Sequence, residues 1–374
     1  MHGLPMRNEL AVLCFLAGGI IPAPGMGVSE WSGLAEGFTT GDIRLLSVES
    51  RGTLSLREGR DLDWGLQVLH QEVEYRPNSP IDPFGMDTDL SDTNVEGNLA
   101  LVMEKGRWEH RAALSGYSGF RSYTAMWIDE YYRQQYGNGG IPGVAYTEPD
   151  PYGVGLEWSS RYEWKPASAY ITISAAYLRD RVAPGYEIED LGTSFELVRG
   201  ETRLQTWTAA LTMESALNSI SRTRHTLRIT DTTSREIRWS WNGAYNLALG
   251  KRWIARTEGA FAKEDPRFEA WSISQALEYE FNERWAVSVT ARYYEDTGQI
   301  EAANLVSSAA PALDTRSVFL TLRQSSPDGE SGFSLSIGPY LTNYAPTGLG
   351  TERFAGLYRD RDWWWGRIAF SKTY

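Results

Sequence analysis

Residues 269–296, EAWSISQALEYEFNERWAVSVTARYYED, alternate with period two. Trp271, Ile273, Leu277, Tyr279 and Phe281 share one parity, and Ser272, Ser274, Ala276, Glu278 and Glu280 share the other. After Asn282-Glu283-Arg284 the alternation resumes, with Trp285, Val287, Val289, Ala291 and Tyr293 set against Ala286, Ser288, Thr290, Arg292 and Tyr294. A helix would repeat its apolar residues at three and four, and this stretch does not. Each arm has roughly ten or more residues, about twice the usual globular strand. That length lets a tilted strand cross a bilayer, and the aromatic residues gather near the ends, as in interfacial girdles. The small and charged face suits water and the large apolar face suits lipid, so the stretch reads as a membrane β-hairpin.

Composition agrees. The chain is 42% hydrophobic, yet its mean hydropathy is -0.39. Beyond the N-terminus no uncharged apolar run approaches the roughly 20 residues of a spanning helix. Trp (15) and Tyr (20) are abundant, and aromatics make up 13% of the chain, high for a soluble domain. A net charge of -12 argues against a nucleic-acid partner, which would need a basic face. Residues 1–27 read as a signal peptide: Arg7, the apolar core Leu10 to Ile21, then the small residues around Gly25-Met26-Gly27. The single cysteine, Cys14, lies inside it, preceded by Leu13 where lipidation needs a small residue. A mature chain without thiols holds no disulfide and no Cys-based metal site, and no cofactor is expected.

Residues 28–63 are the least legible part, an N-terminal periplasmic lead or the first strands, with short candidates at Ile43–Val48 and Thr53–Leu56. From Trp64 the alternation sets in. Trp64, Leu66 and Val68 share a parity that then slips to Val73 and Tyr75, which reads as a bulge. Hairpins follow, with tight turns at 104–107, 165–168, 250–252, 282–284 and 327–330 and long connections at 120–152, 180–202, 297–313 and 344–362. The expected fold is all-β: a transmembrane antiparallel up-and-down β-barrel over residues 64–374. It has about fourteen strands, or sixteen if 43–56 joins the wall, with short periplasmic turns and long extracellular loops. A sandwich needs fewer long strands, and a propeller would show a repeated blade motif.

On this pattern the chain resembles bacterial outer-membrane β-barrels of the porin-like type over roughly residues 64–374. Its last segment, GRIAFSKTY, resembles their C-terminal assembly signal: Ile368, Phe370 and Tyr374 match, whereas Lys372 stands where an apolar residue is usual. The resemblance implies location in a Gram-negative outer membrane, contact with its lipids and lipopolysaccharide, and recognition of the last strand by the barrel-assembly machinery. It also implies passive passage of ions and small hydrophilic solutes. The alternative is a non-conducting barrel that serves as a scaffold or as a component of envelope or exopolysaccharide export machinery.

The inward parity carries many charges. Arg222, Arg224, Arg228, Arg238 and Arg256 form a prospective arginine ladder, and Glu157, Glu163, Glu258, Glu278 and Glu280 with Arg161, Arg292 and Arg323 line other strands. Opposed charged walls set ion preference in a pore; alternatively, such charges pair across strands and brace a filled lumen. Residues 122–136 read either as a short helix folded into the mouth, with Trp127, Asp129, Glu130 and Arg133 as constriction candidates, or as an aromatic loop on the rim. The acidic connections (Asp82, Asp87, Asp89 and Asp92; Glu148 and Asp150; Glu187, Glu189 and Asp190) are solvated faces or sites for divalent cations that bridge lipopolysaccharide, without a complete calcium-loop motif. Outside the signal, His70, His110 and His225 form no recognisable triad, and catalysis is not expected.

Overall fold

A computed structural model describes residues 28–57, 59–75, 88–136, 150–181, 186–190, 195–199, 203–233, 235–265, 268–298, 311–345 and 358–373. The wall begins with β1 (Val28–Thr39), β2 (Ile43–Arg57), β3 (Arg60–Tyr75), β4 (Thr88–Lys105) and β5 (Trp108–Ser118). After helix α1 (Tyr123–Tyr136) come β6 (Tyr152–Lys165) and β7 (Ala169–Arg181). A separate hairpin, β8 (Tyr186–Asp190) with β9 (Phe195–Arg199), precedes β10 (Arg203–Asn218), β11 (Ser221–Thr232), β12 (Arg238–Leu249) and β13 (Trp253–Glu264). The wall ends with β14 (Phe268–Glu280), β15 (Trp285–Asp296), β16 (Leu313–Ser325), β17 (Ser331–Tyr344) and β18 (Arg361–Thr373). Leaving out β8 and β9, neighbours in sequence pair antiparallel, and β1 closes on β18, giving a sealed barrel of sixteen strands.

The count is sixteen, not fourteen, because residues 28–57 form two full strands of the wall. Sixteen strands spaced about 4.8 Å apart and tilted near 40° enclose a cylinder roughly 32 Å across, backbone to backbone. Both described ends of the chain, Val28 and Thr373, lie at the rim that carries the short turns. The opposite rim carries the long connections.

Residues paired across a ladder share a face, so the registers assign each side chain inward or outward. One rung runs Trp271, Phe261, Trp241, Leu227, Leu211 and Ile173 across six strands, and all six are exposed on the outer surface. Aromatic pairs cluster towards the rims of this surface: Trp253–Tyr279 and Trp108–Tyr162 at the short-turn rim, each 4.7 Å between ring centroids, and Trp271–Tyr293 (5.0 Å) and Tyr177–Trp207 (4.5 Å) at the other. An apolar band between two aromatic rings is the outer surface of a membrane barrel.

The expected bulge in β3 is absent. Its ladder with β4 runs unbroken from Arg60 to Tyr75, so Val73 faces inward. The apparent slip marks a change in what lies inside: there the lumen itself is apolar, and Val73 packs in a buried cluster with Ile43, Met126, Trp127, Tyr358 and Trp363.

Closure is held at both rims. Ile368 and Phe370 of β18 stand in register with Ala35 and Gly33 on the outer face, and the Phe370 ring lies 5.5 Å from Trp31. Lys372 is also outward, opposite Trp31. Tyr374 lies outside the described residues. At the long-loop rim Asp42, in the first turn, accepts hydrogen bonds from Arg361, one of them at 3.1 Å, and pairs with Arg359. This ties the first hairpin to the last strand.

Candidate functional site

The inner wall is not uniform. In the half towards the long-loop rim, β1 to β4 with β17 and β18 turn aromatic and aliphatic residues inward, including Phe38, Leu45, Val73, Leu90, Tyr340 and Trp363. A segment after β5 bends into this half. Gly119 makes the bend with φ +94°, and a Cβ added there would sit 2.6 Å from the Thr93 carbonyl oxygen, so only glycine fits. Inward polar side chains of β3 and β4 then hold the chain. Gln71 Nε2 donates to the Phe120 carbonyl (2.6 Å), and the Phe120 amide donates to Asp92 Oδ2 (2.8 Å). Asn94 Nδ2 donates to the Ser118 and Gly119 carbonyls (both 3.0 Å), and Arg121 pairs with Glu96 (3.0 Å).

Ser122 caps α1 by accepting from the Thr124 amide at 3.2 Å. The helix buries Ala125, Met126 and Trp127, the last two against Ile43, Val73, Tyr358 and Trp363. Of the constriction candidates, Trp127 and Asp129 are buried and Glu130 is half-buried, and the Arg133 side chain lies outside the described residues. Burial holds the Tyr123 hydroxyl above the ordinary tyrosine range, and the Arg361 guanidinium opposes that shift. Residues 122–136 thus supply a helix inside the mouth, not an aromatic loop on the rim. The signal for its apolar bed was present in the sequence: Val73 breaks the parity of β3, and Trp363-Trp364-Trp365 is apolar on both parities.

Elsewhere the inner wall is polar at all depths, and its charges fall into two groups. The first is paired. Arg238 donates twice to Glu264 Oε2 (3.1 and 2.9 Å), where the Glu264 side chain is only 2% exposed, and its guanidinium lies 4.5 Å over the Phe268 ring. Arg256 makes a two-bond fork with Glu278 (3.0 and 3.2 Å), and Arg323 joins the same carboxylate at 2.9 Å and Glu280 at 3.5 Å. Arg161 reaches Glu214 (3.5 Å) and Glu109 (4.0 Å) and lies 3.9 Å over the Tyr170 ring. Arg292 lies 5.4 Å over Phe319.

The second group is open. Arg222, Arg224 and Arg228 on β11 fall on the inward register, are exposed, and have no ion-pair partner among the described residues. Glu157 and Glu258 are inward and exposed in the same way. The arginine ladder therefore divides: its β11 part is open, while Arg238 and Arg256 are bridged to carboxylates. In the sixteen-strand order β11 lies eight places from β1, so the open arginines face the wall that carries Glu30 and Glu36. Near the short-turn rim a space of about 500 Å³ opens along the inner wall between Ser32, Glu49, Arg51, Arg323, Ser334 and Arg367. His70, His110 and His225 all take the outward register, His110 bonding Ser160 (2.6 Å) and His225 stacking on Trp241.

No family model and no curated protein sequence matches the chain. Solved structures do. CdiB from Acinetobacter baumannii superposes with a TM-score of 0.54 at 9% identity, over 92% of this chain, which spans 60% of the length of CdiB. A bacterial polysaccharide outer membrane secretin matches with a TM-score of 0.51 at 8% identity, over 93% of this chain and 99% of its own. The toluene transporter TodX of Pseudomonas putida matches at 0.44 and 11% identity, over 94% of this chain and 90% of its own. At these identities the likeness, carried by CdiB and the secretin, is one of fold, that of a closed antiparallel β-barrel.

Proposed function

We propose that the protein is an outer-membrane channel that passes ions and small hydrophilic solutes by passive diffusion, with α1 as the constriction and the β11 arginines biasing it towards anions. The observation that carries this reading is the open charge in the lumen. Charges in a filled, dry lumen must pair, because an uncompensated buried ion is strongly destabilising. Arg222, Arg224, Arg228, Glu157 and Glu258 are exposed on the inner wall without ion pairs among the described residues, which a water-filled space tolerates. Three open arginines on one strand concentrate positive charge on one stretch of the wall, and at about 0.1 M salt its reach of roughly 10 Å is comparable to half the free width of the lumen.

Export and assembly belong to the same proposal. Residues 1–27 are removed on export, the outward apolar face meets lipid and lipopolysaccharide, and the barrel-assembly machinery recognises Ile368, Phe370 and Tyr374. The outward placement of Ile368 and Phe370 on the closing strand supports that recognition.

Replacing Arg222, Arg224 and Arg228 together by Ser tests the anion bias. The reversal potential across a salt gradient is expected to move towards the cation limit while the barrel keeps its heat-modifiable migration. An unchanged reversal potential in a folded, conducting variant would take these arginines out of the mechanism.

A further inference from the structure

On the outer surface at the long-loop rim, three arginines gather above the apolar band. In the β7 ladders Arg181 stands between Tyr152 of β6 and Arg203 of β10, and Arg179, about 7 Å further from the rim, stands between Val154 and Gln205. One rung further in, Leu156, Tyr177 and Trp207 line up across the same three strands. Between them lies a cleft of about 540 Å³ with an apolar floor of Tyr152, Val154, Leu156 and Tyr177 and a cationic rim of Arg179, Arg181 and Arg203.

Two features set this patch apart in a chain of net charge -12. Other outward cations at this rim have acidic neighbours: Arg44 with Glu72 (3.6 Å), Lys263 with Asp265 (3.1 Å) and Arg316 with Asp314 (3.3 Å). Arg179 and Arg181 have no ion pair among the described residues. Secondly, Arg181 and Arg203 are direct ladder partners and Arg179 lies two residues along the same face, so three guanidinium groups border one cleft. Arginine forks bind phosphate oxygens with bidentate geometry.

From these observations we infer that the β6–β7–β10 surface is a binding site for the phosphorylated glycolipid of the outer leaflet, lipid A. A phosphate sits between Arg181, Arg203 and Arg179, and acyl chains run down over Leu156, Tyr177 and Trp207. The inference rests on the outer-membrane placement proposed above and is independent of conduction. The cationic rim and the apolar floor are stacked along the strand direction, as the headgroup and chains of a lipid are. A free anion would use the rim alone.

Native mass spectrometry of the folded full chain in detergent tests this with four probes: bisphosphorylated lipid A, its phosphate-free form, phosphatidylglycerol and inorganic phosphate. Bisphosphorylated lipid A is expected to bind at least about tenfold more tightly than the phosphate-free form, as the loss of a charge-assisted contact implies. The double variant Arg179→Gln, Arg181→Gln is expected to lose the same preference. Equal binding of the phosphate-free lipid would overturn the site, and this comparison uses the unaltered protein, so it stands even if the variant fails to fold. A folded variant that keeps the preference would move the site elsewhere. Phosphatidylglycerol binding as tightly as lipid A would reduce the patch to a general anionic-headgroup surface. Displacement of lipid A by millimolar inorganic phosphate would reduce it to an ion site.

Discussion

Excising residues 121–149 and closing the gap with a short Gly-Ser link is expected to raise single-channel conductance by about a third to a half. A wall roughly 32 Å across leaves about 20 Å of free width once inward side chains are counted, and a helix with its side chains is about 10–12 Å wide. Folded into the mouth, α1 occupies between a quarter and a third of that section. It is held by the glycine bend at Gly119, by the polar contacts from Gln71, Asp92, Asn94 and Glu96, and by Trp127 and Met126 in the apolar bed. Truncating a buried tryptophan typically costs about 3–5 kcal/mol. Trp127→Ala should therefore free the helix intermittently, seen as flicker between the native and the enlarged conductance. An excised channel with native conductance would place α1 outside the ion path.

The Arg238→Ser protein should be less stable by about 3–5 kcal/mol, because the change strands a buried carboxylate. Glu264 has a side chain only 2% exposed, and Arg238 supplies two hydrogen bonds to its Oε2. Against a typical total of about 5–15 kcal/mol this is a large fraction. Arg228→Ser removes an exposed side chain with no ion pair among the described residues and should change stability by no more than about 0.5 kcal/mol. Urea unfolding in lipid vesicles, followed by heat-modifiable migration, measures both. Equal midpoint shifts would erase the distinction between bracing and open arginines.

That distinction marks where the sequence stops being informative. Parity places Arg228, Arg238 and Arg256 on the inner wall, since Leu227, Trp239, Trp241 and Trp253 must face out. It does not say which neighbour each one meets, because pairing depends on inter-strand register. For Arg238 the signal was present: the tight turn 250–252 pairs Leu249 with Trp253, and counting back brings Arg238 opposite Glu264. Arg256 reaches Glu278 on a diagonal, beside its ladder partner Ala276, and Glu278 also takes Arg323 from a strand two places further on. Such contacts depend on rotamers, not on spacing.

The first two strands were hidden for another reason. On β1 the outward positions are Trp31, Gly33, Ala35 and Gly37, while the inward ones include Leu34 and Phe38. Small residues outside and apolar residues inside cancel the contrast by which period two is recognised. The same inversion produced the false bulge at Val73. Alternation assigns faces on the premise of a wet lumen, and near the mouth the lumen is apolar while His70, Glu72 and Glu74 of β3 face out.

Single-channel recording of the full chain in a planar bilayer decides whether the barrel conducts. Stepwise conductance is expected, ohmic at low voltage, with a reversal potential displaced towards the anion limit in a salt gradient. Folded, heat-modifiable protein that inserts without conductance steps would contradict the proposed channel, and would identify a plugged barrel serving as a scaffold.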